Sequence, residues 1–73
     1  MALVDVKTEI TGRVWKIVAK VGDRVAEDEA LLILESMKME IPVSATEAGT
    51  VREILVREEQ VVTEGTVVAR IEA

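Results

Sequence analysis

The sequence predicts an all-β fold, a sandwich or flattened barrel. Three observations predict it: short runs rich in Val and Ile, turn-forming residues spaced regularly between them, and a first half that recurs in the second. Laid over residues 47–72, residues 10–35 align without a gap at an offset of 37, the separation of Gly12 from Gly49. Val14 then falls on Val51, Ile17 on Ile54, Val25 on Val62, Glu27 on Glu64 and Glu35 on Glu72. Val18 with Leu55, Lys20 with Arg57, Leu31 with Val68 and Leu34 with Ile71 are similar pairs. Two copies are fewer than the three or so that a solenoid needs, so the repeat implies one domain, residues 1–73, with internal pseudo-twofold symmetry. The connection between the copies, residues 36–46, lies apart from both and is free to differ.

In chain order, strands are expected at about residues 3–7, 12–19, 24–26, 30–35, 39–44, 49–56, 61–63 and 66–72. The turns between them fall at Gly22-Asp23, Glu27-Asp28, Ala48-Gly49 and Glu64-Gly65. Residues 47–60 also offer a helical spacing through Val51, Ile54, Leu55 and Glu58, with Glu53 and Arg57 as an i,i+4 pair. The equivalent stretch of the first copy holds Val14, Trp15, Ile17 and Val18, and that density of β-branched and aromatic residues selects strand. Val-x-x-Ile in both copies breaks strict alternation and predicts a bulge in each long strand. The turns of the two copies differ: Gly22-Asp23 becomes Glu59-Gln60, and Asp28 becomes Gly65. A Glu takes left-handed backbone less readily than Gly or Asp, so the turn at Glu59 is expected to be strained or of another type.

The run Ala30–Leu34, the motif Glu35-Ser36-Met37-Lys38-Met39-Glu40 and the run from Ile41 to Val43 read as a hairpin with Met37 and Lys38 at its tip. Two-residue hairpin loops ordinarily use Asn-Gly, Asp-Gly or a glycine pair because the tip needs positive φ. Breaking that rule points to function at Lys38. Two Met residues at i and i+2 of a strand otherwise read as core filling on one face.

Met-Lys-Met preceded by Glu35 and Ser36 resembles the modification site of biotin carboxyl carrier domains, and the resemblance runs from Ile10 to Glu72. It is nearest to the small free-standing biotin/lipoyl attachment proteins. The resemblance implies two four-stranded antiparallel sheets, with the modified lysine at the end remote from the termini. It also implies biotin as cofactor in amide linkage to Lys38, with Glu35, Ser36, Met37, Met39 and Glu40 as recognition residues. The implied partners are a biotin protein ligase, a biotin carboxylase and a carboxyltransferase acting on an acyl-CoA, with the chain itself a non-catalytic carrier. Lipoyl domains usually carry Asp-Lys-Ala at this turn, so Met37 and Met39 favour biotin. Lipoate remains open, because the segment between Val18 and Leu31 is too short for the protruding thumb that some biotin carriers place over their cofactor. The alternatives are therefore a lipoyl carrier of a 2-oxoacid dehydrogenase-type complex and an unmodified structural or adaptor module.

Composition narrows the chemistry further. With no Cys and no His among 73 residues, thiolate chemistry, disulfides, the commonest general base and the commonest soft metal ligands are missing. No catalytic or metal-binding set of residues emerges, and Ser36 has no base within its motif to make it a nucleophile. The net charge of −5 disfavours nucleic acid and anionic membranes as partners. No apolar run spans a bilayer and no signal pattern opens the chain, so a cytoplasmic protein is expected. Without a Pro-, Ala- or Gly/Ser-rich linker, a detached carrier is expected rather than an arm of a larger enzyme. Trp15, the one aromatic residue, is expected to serve the structure, with partner contact as the alternative. A chain of 73 residues has a thin core and an expected stability of roughly 4–11 kcal/mol.

Overall fold

The structure, a computed structural model, describes residues 2–73. Its strands are β1 (Leu3–Lys7), β2 (Gly12–Ile17), β3 (Arg24–Val25), β4 (Ala30–Ser36), β5 (Met39–Ser44), β6 (Gly49–Ile54), β7 (Val61–Val62) and β8 (Val67–Glu72). They form two antiparallel four-stranded sheets, ordered β1-β8-β6-β3 and β5-β4-β2-β7. An offset of 37 carries β1 to β5, β2 to β6, β3 to β7 and β4 to β8, so one sheet maps onto the other strand by strand. The repeat thus reaches further than the aligned residues 10–35: β1 and β5 belong to it as well, with Val6 and Val43 as equivalent buried residues.

The predicted bulges are present at equivalent places. Val14 pairs with Leu34 and Lys16 with Ile33, which leaves Trp15 extra in β2. Val51 pairs with Ile71 and Glu53 with Arg70, which leaves Arg52 extra in β6. A bulge puts two successive residues on one face, and this is how Val14 and Ile17 can both point inward three positions apart. The predicted strands over 12–19 and 49–56 end earlier, at Ile17 and Ile54. Beyond Ile17 the chain leaves the ladder, with the N–H groups of Val18 and Ala19 both donating to the Leu31 carbonyl at 3.0 Å.

The two sheets enclose an aliphatic core in which Val14, Leu32, Leu34, Val68 and Ile71 are fully buried. Burying each such side chain contributes about 1.5–3 kcal/mol, most of it offset by chain entropy. Trp15 is 40% exposed and lies outside this core. Its bulge position turns it outward, the part-exposed setting that the partner-contact alternative requires. The single buried polar side chain among the described residues, Thr8, is satisfied locally: its hydroxyl donates to the Ile10 carbonyl (2.8 Å) and accepts from the Ile10 N–H (3.2 Å).

The turns repeat with the strands. The Gly22 N–H donates to the Val51 carbonyl (2.8 Å), and the equivalent Glu59 N–H donates to Val14 (2.7 Å). Gly22 has φ 99° and Glu59 φ 75°, so the two turns share a left-handed backbone and Glu59 is the strained copy. Asp28 (φ 69°) and Gly65 (φ 87°) are related in the same way. Gly12 and Gly49 serve close approach: a Cβ on Gly49 would lie 2.4 Å from the Glu72 carbonyl oxygen, and one on Gly12 2.9 Å from that of Glu35.

This topology fixes where the β4–β5 hairpin sits. Gly12 opens β2 beside Ser36 and the tip, while Ile17 closes it at the far end. From there the chain soon reaches Arg24, which pairs with Thr50, itself paired with Glu72 near the C-terminus. Hairpin tip and termini therefore occupy opposite ends of a body measuring 36 × 18 × 18 Å.

Candidate functional site

The Ser36–Met39 pair closes the β4–β5 ladder and leaves Met37 and Lys38 as a two-residue loop. Their φ values of 52° and 66°, both positive, define a type I′ turn, whose twist matches that of the flanking strands. A non-glycine residue held there costs on the order of 1 kcal/mol or more. Packing gives nothing back at Met37, which is 92% exposed, and little at Met39, which is 62% exposed. The core-filling alternative for the two methionines is thus excluded. Lys38 is exposed between them and belongs to none of the ion pairs among the described residues. A primary amine is thereby offered to solvent at the tip of a two-stranded support.

The other residues of the motif stand on that support. Ser36 is half-buried at the base of the turn, and Glu35 and Glu40 are directly opposed across β4 and β5. Glu35 is engaged by Arg13 of β2, which also pairs with Glu59 in the strained turn. The hydrogen bond to Glu35, and next the charge of Glu59, raise the Arg13 pKa above the ordinary guanidinium value. A raised cationic pKa keeps its contribution below that ordinary value and loses it only in strong alkali, so this clasp is constant through neutral pH. Arg13 was not legible as a clasp in the sequence: its partners lie 22 and 46 positions away, and its repeat counterpart is Thr50. Glu40 has no ion partner among the described residues.

An open groove of about 310 Å³ runs beside β5, with Ile10, Ile41 and Val43 among its lining residues and Lys7, Glu9 and Asp28 bringing charge to it. The site is thus a projecting amine on a rigid support.

A model of the family described as "Biotin-requiring enzyme" matches residues 3–71. The chain belongs to this biotin/lipoyl family. It is 42% identical over 62 residues to the biotin/lipoyl attachment protein of Bacillus subtilis, covering 85% of each chain. It is also 42% identical over 65 residues to the biotinylated protein TB7.3 homolog of Mycobacterium leprae, covering 89% of this chain and 92% of that one. Among solved structures, the urea carboxylase of Kluyveromyces lactis superposes with a TM-score of 0.93 at 40% identity, over 99% of this chain and 6% of the carboxylase. The fold is that of the carrier-type domain that biotin-dependent carboxylases contain, in a family described by its requirement for biotin that also includes lipoyl domains.

Proposed function

We propose that the protein is a biotin carboxyl carrier and that Lys38 is its point of attachment. The observation that carries this reading is the turn itself, an exposed amine held between two exposed methionines, with positive φ at Met37 and Lys38 that neither of those two residues favours energetically. A biotin protein ligase would supply the acyl adenylate. The Lys38 Nζ, as the neutral amine, forms the amide bond while the bond to AMP breaks and the nitrogen gives up its proton. Only the neutral amine has the lone pair that attacks the adenylate, so the ligase has to provide the deprotonation.

Once attached, biotin supplies a ring nitrogen able to carry a carboxyl group from a biotin carboxylase to a carboxyltransferase acting on an acyl-CoA. The protein contributes position and tethering, which raises the effective concentration of the ring at each active site toward the millimolar range. Attachment also removes the Lys38 charge and leaves the sheets untouched. Lipoate is the second reading, favoured by a relative named for both cofactors and by the absence of a thumb between β2 and β4.

Reconstitution tests the reading. Protein modified by purified ligase is mixed with biotin carboxylase, ATP and labelled bicarbonate, then with carboxyltransferase and an acyl-CoA. Label is expected first on the protein and then on the acyl-CoA. A protein that accepts lipoate but no biotin under matched conditions would contradict it.

A further inference from the structure

The pseudo-twofold makes each sheet a control for the other, and one row of their outer faces differs in character from charged to apolar. On the β1-β8-β6 face, Arg70 of β8 pairs with Asp5 of β1 (2.9 Å) and with Glu53 of β6 (3.0 Å), and Arg52 beside them pairs with Glu72. Carried across by the offset of 37, Asp5, Arg70, Glu53 and Arg52 become Pro42, Ile33, Lys16 and Trp15. The registers agree, since Pro42 pairs with Ile33 as Asp5 does with Arg70, and Lys16 pairs with Ile33 as Glu53 does with Arg70. Where one face is sealed by an ion network, the other carries an apolar strip of Trp15, Ile33 and Pro42. Trp15 and Pro42 are exposed and Ile33 is half-buried.

The strip lies on the sheet that carries Lys38. Ile33 is three residues from Ser36 along β4, about 10 Å at the rise of a strand. Its surroundings are acidic, with Glu35, Glu40, Glu58 and Glu59 on the strands and turn around it against Arg13 and Lys16. Directly opposed carboxylates such as Glu35 and Glu40 destabilise a strand pair, and Arg13 engages only the first of them. A second copy of this chain would bring the same carboxylates face to face. The complement is a partner that offers an apolar pocket for the indole and a cation for Glu40.

We propose that this face is the docking surface for the enzyme that acylates Lys38, a ligase surface combining an apolar pocket with basic side chains at its rim. The inference rests on the carrier reading above. An enzyme working on the attached ring stands off by the length of the arm, whereas one forming a bond to Nζ brings its own surface against the hairpin and the rows behind it. Trp, here at the β2 end of the strip, is among the residue types that most often dominate binding.

The test copies the sealed face onto the open one. The variant carrying Trp15→Arg, Lys16→Glu, Ile33→Arg and Pro42→Asp leaves the whole hairpin loop unchanged. With purified biotin protein ligase, KM for the carrier is expected to rise about tenfold or more, with kcat kept within about twofold. A folded variant with unchanged KM would overturn the proposal. In a second arm, which survives a failure of the variant to fold, the Lys38→Arg protein is labelled with 5-fluorotryptophan. Because Trp15 is the only Trp, one ¹⁹F resonance results. It is expected to shift or broaden on adding unlabelled ligase, more weakly at high salt. A resonance unmoved at saturating ligase, or concentration-dependent dimerisation of the unaltered protein that the variant abolishes, would also overturn it. If the unaltered protein takes no biotin at all, the carrier reading fails first; transfer to the variant at the ordinary rate sinks only the docking face.

Discussion

Replacing Met37 by Asn should stabilise the fold and impair its use. Met37 sits at φ 52° and is 92% exposed, so its side chain gives up almost no burial on removal. Asn visits left-handed backbone far more readily than Met, and the strain relieved is of order 1 kcal/mol. For a domain of this size that raises Tm by about 4–8 °C, a sizeable gain on the roughly 4–11 kcal/mol expected for 73 residues. Calorimetry on the unmodified protein, with denaturant titration alongside, measures it. Biotin transfer by the ligase should slow in the same variant, since an exposed side chain that strains the backbone and packs against nothing is retained for a partner. A Tm unchanged or lowered would refute the reasoning, because Met37 would then make contacts that its exposure denies.

Three further outcomes are expected. Glu59→Gly should raise Tm slightly: relief of positive-φ strain of about 1 kcal/mol exceeds the loss of an exposed, salt-screened pairing with Arg13 and the added freedom of the unfolded chain, and a drop in Tm would show that the clasp outweighs the strain. Gly49→Ala should destabilise by about 3 kcal/mol or more, and Gly12→Ala by clearly less, because the added Cβ lies 2.4 Å from a backbone oxygen in one case and 2.9 Å in the other; equal unfolding midpoints would contradict this. Met37→Asp combined with Met39→Ala should weaken biotinylation and improve lipoylation while the fold holds, and equal rates in a purified ligase assay would remove the methionines from cofactor choice.

The repeat made the architecture legible because equivalent residues face equivalent packing problems. Val-x-x-Ile announced both bulges, and Gly22 opposite Glu59 announced a strained turn, since a shared backbone demands a shared φ. Lys38 stood out because its turn ignored the glycine rule. The setting of Trp15 was legible only through the bulge that the same sequence predicts, which turns it outward and leaves it part-exposed. The extension of the repeat to β1 and β5 was hidden by edge strands whose exposed positions diverge freely, with Asp5 against Pro42 and Leu3 against Glu40. The ion network on the β1-β8-β6 face joins residues up to 65 positions apart, a pairing that only the sheet register reveals.

The central claim is that one lysine, at a solvent-facing tip, carries the cofactor while the fold takes no notice of it. Intact mass with peptide mapping, on the unaltered protein and on Lys38→Arg after identical exposure to ligase, ATP and biotin, tests it most directly. A guanidinium stays protonated and cannot accept the acyl group, and a surface change of this kind alters stability by no more than about 0.5 kcal/mol. The account predicts a single biotinyl group on the Lys38 peptide of the unaltered protein, and none on a variant that melts at the same temperature. Biotin mapped in the variant to Lys7, Lys16 or Lys20, or a variant that fails to fold, would contradict it.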